Sequence, residues 1–167
     1  MLIYAVLFLA ILTIAYILMR KRLPAEEGNE QWPYYAKTVL SQPEQALYHR
    51  LVAALPEHIV LAQVQLSRVL GVKKGFDLNA WSNRINRMSY DFLVCQKDFG
   101  VIVVIELDDR SHEKAPRIET DRKKNRATAA ASIPLIRWQV SALPDETSIR
   151  QALAKHIHPS SSERRIA

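Results

Sequence analysis

The stretch VIVVIELDDRSH, Val101 to His112, decides how the chain reads. An apolar run carrying a single charge, VIVVIEL, has the length and β-branched content of a buried strand. It then breaks into acids and a histidine. Read as a strand that runs out of core, it delivers Glu106, Asp108, Asp109 and His112 to one rim. Ionised carboxylates are costly to bury unless they are paired or hold a cation. Such a crowd at a strand end therefore marks a candidate site, against the simpler reading of an acidic loop.

Working outward, Tyr90 to Cys95 (YDFLVC) reads as the partner strand and Gln96 to Gly100 as a hairpin turn with glycine near its end. In such a hairpin Asp91 and Glu106 fall at the same end of the ladder. Their carboxylates can converge there on a hard divalent cation such as Mg²⁺ or Mn²⁺, with waters completing its shell. Asp91 can equally pair with Arg84 or Arg87. Cys95, the only cysteine, excludes an intramolecular disulfide and a multi-cysteine zinc site, and reads as a packed thiol. His112 is a candidate general acid or base. Arg117 to Ala131 reads as a helix bearing Arg117, Arg122, Lys123, Lys124 and Arg126, cations suited to a phosphodiester backbone or simply to a solvated face.

Ile133 to Val140 is expected to be a strand, with Pro134 near its start pointing to an edge or an irregular entry, and Pro144 to Ile157 a helix with Ile149, Ala152, Leu153 and Ile157 on one face. Before the hairpin, Ser41-Gln-Pro-Glu44 is a capping box opening a helix that Pro56 ends. Ile59 to Leu66 reads as a strand, Ser67 to Leu70 as a helical turn, Gly71 to Asp77 as a polar loop. Leu78 to Arg87 reads as a helix with Trp81 and Ile85 inward. This order predicts an α/β fold, a mixed central β-sheet flanked by helices, with a crossover from the Val101 strand through a helix to a parallel strand.

The domain so defined spans 41–157, after a linker at 23–40 and before a disordered tail at 158–167. The first 22 residues stand apart. Leu2 to Met19 contains no charge and is followed at once by Arg20, Lys21 and Arg22. Its length suits a membrane span, and the positive-inside rule sets the downstream domain in the cytoplasm. The expectation is an uncleaved single-pass anchor in the inner (cytoplasmic) membrane. The 167 residues are 49% hydrophobic and 24% charged, with net charge +6 and pI about 9.6. That basicity favours an acidic partner, nucleic acid or anionic lipid. The 41–157 domain carries its own excess of cations, so the basic pI is not only juxtamembrane.

These residues resemble the PD-(D/E)xK, restriction-endonuclease-like nucleases over roughly 41–140. More closely, the chain is similar to a bacterial family of uncharacterised function. That family's domain reads as an S-x-x-E-x-x-L-Y helix (Ser41, Glu44, Leu47, Tyr48), a D-F strand (Asp91, Phe92) and E-L-D-D-x-S-H (Glu106 to His112). Its D-x-x-K helix matches Asp121 and Lys124, and its arginine-bearing strand matches Ile133 to Arg137. The very-short-patch repair endonucleases look like a more distant relative. The resemblance implies Glu44, Asp91 and Glu106 as metal-site acids. Where the nuclease pattern has lysine this chain has Asp108, which leaves Lys124 or His112 to take that role.

The expected function is a membrane-anchored, metal-dependent hydrolase of DNA phosphodiesters with Asp91, Glu106, Asp108, His112 and Lys124 catalytic. A catalytically inactive module of the same fold, binding nucleic acid or protein at the membrane, is the alternative. A tethered scaffold whose acids form surface salt bridges is a third reading.

Overall fold

The computed structural model describes residues 2–22, 31–109 and 115–157, side chains at 20–22 and 115–118 excepted. It divides into two compact units, Met1–Lys37 and Thr38–Ala167.

The first unit is helix α1, Leu2–Arg22. Leucine, isoleucine and alanine dominate it, and it has no polar stripe that would turn one face to water. Its Leu2–Met19 window has a mean hydropathy of 2.7, with no residue buried, and is long and apolar enough to cross a membrane.

The second unit is built on a sheet. Its elements are α2 (Gln42–Ala54), β1 (Ile59–Gln65), α3 (Leu66–Val69), α4 (Leu78–Asn83), β2 (Ser89–Cys95), β3 (Val101–Asp108), α5 (Ala115–Ala130), β4 (Leu135–Gln139) and α6 (Glu146–Ile157). The strand order is β1-β2-β3-β4. The first three strands are antiparallel, and β4 joins β3 in parallel after the α5 connection. This is the mixed, helix-flanked sheet that the sequence predicts. β4 stands at its edge, where Pro134 offers its carbonyl to the Val104 N–H at 2.9 Å and has no N–H of its own to satisfy.

Alternation along β2 and β3 sends side chains to two cores. One face packs Phe92, Val103, Ile105 and Leu107 against Leu47 and Leu51 of α2 and Ile149 and Leu153 of α6. The other gathers Leu93, Cys95 and Val104 with Leu66 and Tyr90. Both faces of the central strands are therefore covered, which is why they read as apolar runs rather than as strict alternation. Deleting a fully buried leucine such as Leu47 costs roughly 2–5 kcal/mol in cores of this kind.

The hairpin turn places its positive φ at Phe99 (66°), not at glycine. At Gly100 a Cβ would lie 3.1 Å from Asp98 Oδ1, which accepts the Gly100 N–H at 2.9 Å, so a side chain there would push on the Asp98 carboxylate. The helix expected from Leu78 to Arg87 is cut short. Asp77 caps it by accepting the Ala80 N–H at 2.9 Å, yet α4 ends at Asn83 and buries nothing. Trp81, expected inward, is 43% exposed. Six residues give too little length to bring an apolar stripe onto the sheet, and only Ile85, beyond the helix, packs on the second core.

Candidate acidic cleft

The end of the hairpin opens into a cavity of about 560 Å³. Its walls include Glu44 from α2, Asp91 from β2, Glu106 and Asp108 from β3, and Asp121 and Lys124 from α5.

The β2/β3 register pairs Phe92 with Ile105, so the next step sets Asp91 opposite Glu106. Asp91 Oδ2 accepts the Leu107 N–H at 2.8 Å, which ties it to the strand that carries Glu106. Glu106 is 4% exposed, on the face it shares with Val104. Lys124 meets it there: Nζ lies 2.6 Å from Glu106 Oε2 in a pair whose side chains are 10% and 5% exposed. Thr128, one turn on, donates to the Lys124 carbonyl (2.8 Å) and accepts from Tyr90 Oη (2.7 Å), pinning α5 to the sheet.

Burial pushes the Glu106 carboxyl up to about 7. The Lys124 cation opposes this, and the neighbouring Asp91 charge adds to it. Asp91 is also raised, again chiefly by burial, against the Leu107 N–H and the Lys124 charge. Glu106 Oε1 is buried and has no hydrogen-bond partner among the described residues. An orphaned carboxylate oxygen is costly unless it carries a proton or faces a cation.

The other acids are engaged. Glu44 Oε2 accepts the backbone N–H and the hydroxyl of Ser41, both at 2.6 Å, completing the Glu44 half of the expected capping box. Its Oε1 accepts the Gln63 side-chain amide at 2.8 Å. Asp108 Oδ1 pairs with Arg137 at 2.7 Å, and Arg137 also donates to Asn125 Oδ1 at 2.7 Å. Arg87 shares the cavity wall, but Asp91 is held by Leu107 rather than by Arg84 or Arg87.

The predicted site residues thus divide. Glu44, Asp91, Glu106, Asp108 and Lys124 line one cavity. His112 lies outside the described residues, as does the side chain of Arg117. Arg122, Lys123 and Arg126 are exposed on α5 and are not among the residues that line the cavity, and the first two pair with Glu119. Among the described residues no three His, Cys, Asp or Glu side chains form a ready metal cage.

Gln63 had no signal in the sequence. It sits in β1, in the step between the Ala62–Phe92 and Val64–Tyr90 pairs and so facing Asp91 across the ladder, with φ 52°. A left-handed glutamine within a strand is strained, and strain of this kind gathers at functional sites. Besides Glu44, its amide accepts the Ser89 hydroxyl at 3.3 Å.

Sheet and cleft together define a mixed α/β domain whose central strands deliver a buried carboxylate–lysine pair to an open acidic cavity. Residues 36–157 match the family of proteins of unknown function DUF2726, and the chain belongs to that family. No curated protein and no solved structure matches the chain.

Proposed function

We propose that this is a membrane-tethered, divalent-cation-dependent nuclease of the PD-(D/E)xK, restriction-endonuclease-like kind, hydrolysing DNA phosphodiesters on the cytoplasmic side. The observation that carries the reading is the buried Glu106–Lys124 pair beside Asp91, with Glu106 Oε1 unpartnered, at the wall of an open cavity. The order of elements supports it too: a hairpin ends in acids, and the helix leading to a parallel strand returns a lysine to them.

Mg²⁺ needs only one or two protein carboxylates, with waters and substrate phosphate filling the rest, so two acids without a third are enough. Asp91 and Glu106 would hold it, with Glu44 behind them. A divalent cation there supplies positive charge for the phosphate and activates water for attack. Lys124 replaces the lysine missing at position 108: its ammonium balances Glu106 and lies where charge on a phosphoryl oxygen can be met. Asp108 keeps Arg137 in place at the cleft wall. His112, just beyond the acidic run, is the proton carrier for the leaving oxygen.

The test is nicking of supercoiled plasmid by the full-length chain in detergent with Mg²⁺ or Mn²⁺, beside Asp91→Ala, Glu106→Ala and Lys124→Met. Loss of most of the activity in each variant is expected; equal nicking by all of them sinks the assignment. One observation favours a second reading, a non-catalytic nucleic-acid-binding module of the same fold: position 108 holds an acid tied up by Arg137 instead of a lysine. That reading predicts binding without cleavage.

A further inference from the structure

The segment from α3 to β2, residues 66–88, stands out once Arg122, Lys123 and Arg126 of α5 are seen to be exposed and outside the lining of the cleft. It carries Arg68, Lys73, Lys74, Arg84 and Arg87 against a single acid, Asp77, which is spent on capping α4. Among the described residues Lys73, Lys74 and Arg87 enter no ion pair. The same segment exposes aromatic surface. Phe76 is 57% exposed and Trp81 43%. Their rings meet edge to face at 5.8 Å, and the Arg84 guanidinium lies 4.2 Å from the centre of the indole. Gly75, at φ 89°, sits in the turn that the Phe76 N–H closes on the Lys73 carbonyl. At the far end, Arg87 lines the acidic cleft itself.

Large exposed aromatic groups are unusual on a soluble surface and mark contact sites. Aromatic faces interleaved with cations match one ligand chemistry closely: flat bases strung on a phosphate backbone. A double helix hides its base faces, whereas a single strand offers them. We propose that residues 66–88 form a stacking platform for single-stranded nucleic acid, with Phe76, Trp81 and Arg84 receiving bases and Lys73, Lys74 and Arg87 the phosphates on the way to Asp91 and Glu106. The inference rests on the nuclease reading for its substrate class and adds which strand form the chain takes and where it lies.

The test is fluorescence anisotropy in EDTA, with the full-length chain in detergent micelles titrated into a labelled oligothymidylate strand and into a blunt duplex of the same length. The strand should bind more tightly than the duplex. Trp81→Ala should weaken strand binding by about tenfold, while Trp81→Phe should hold it within about twofold. Phe76→Ala repeats the test on the second ring. Lys73→Ala with Lys74→Ala should lower the salt slope by about 1.4. Arg122→Ala, Lys123→Ala and Arg126→Ala together, on the outer face of α5, should leave binding within about twofold, because those cations are not on the path.

Unchanged binding after Trp81→Ala and Phe76→Ala, or a loss confined to the α5 variant, overturns the platform and leaves the nuclease reading standing. If the substitutions in residues 66–88 instead weaken adhesion to phosphatidylglycerol vesicles and spare the strand, the platform belongs to lipid and the proposal fails. A chain that binds the duplex but no strand overturns the platform alone, and one that binds neither and nicks no plasmid overturns both readings. Strand binding through residues 66–88 without plasmid nicking upholds the platform and removes only the hydrolysis.

Discussion

Glu106 holds its proton far longer than a surface glutamate would. Its carboxyl is raised from 4.5 to about 7 because burial and Asp91 outweigh Lys124. The folded state therefore binds this proton more tightly than the unfolded chain does, and the resulting stability is fully present below about pH 4.5 and lost as pH rises through about 7. Asp91, raised as well, acts in the same direction. Urea unfolding of the chain in EDTA should show a lower midpoint at about pH 8 than at about pH 5.5, by roughly 2–3 kcal/mol, and Glu106→Gln should flatten that slope. A midpoint that rises over this window would show that Glu106 is ionised in the fold. Gln63 gives a second residue-scale expectation. Its amide ties Glu44 at 2.8 Å while its backbone sits at φ 52°. Gln63→Ala keeps the strained φ and loses the bond, at about 1–2 kcal/mol, whereas Gln63→Gly relaxes the backbone and should cost less. The reverse order in denaturation midpoints would mean that the positive φ is not imposed.

Helix α5 shows how one element can serve two surfaces. Lys124 and Thr128, one turn apart, face the sheet and are buried, while Arg122, Lys123 and Arg126 are exposed. Lys124→Met leaves Glu106 buried without its counter-charge, a change that costs about 3–5 kcal/mol when the partner stays ionised. At about pH 5.5 Glu106 takes up a proton, so the loss should shrink to roughly half its value at about pH 8. Replacing the three outer cations by alanine should move stability by no more than about 0.5 kcal/mol, as exposed ion pairs usually do. Thermal midpoints of the variants at both pH values check this. The sequence lists five cations on this helix but not their facing, because Lys, Arg and Ala are all good helix formers and no apolar stripe marks the inner side. In α2 the stripe is present: Leu47 and Leu51 recur at helical spacing and are fully buried.

On the scale of the whole molecule, the chain joins an apolar helix fit to cross a membrane to an α/β domain. The full chain should resist extraction by alkaline carbonate, and the DUF2726 domain should be protected from protease in intact spheroplasts and digested once the inner membrane is opened. Digestion from outside would reverse the proposed orientation. The apolar helix and the succession of strands and helices were legible because hydrophobic length and period report local structure directly. That Asp91 and Glu106 fall at the same end of the hairpin was legible as well, since a short turn sets the hairpin register and no distant contact is needed to bring the two residues to one cavity wall.

What the sequence determined by itself was therefore local: strands with apolar runs, helices with caps and stripes, and one hairpin with acids at its end. What only the tertiary structure decided was which distant groups share that end. Lys124 reaches Glu106 across the α5 connection, Gln63 reaches Glu44 from a strained strand, and Arg137 claims Asp108 from the neighbouring parallel strand. Trp81 stays in solvent although its spacing reads as inward. The physical reason is common to all four. Pairing of charges and burial of a ring depend on how elements pack, and a single polar side chain, unlike an apolar period, carries no mark of the partner it will meet.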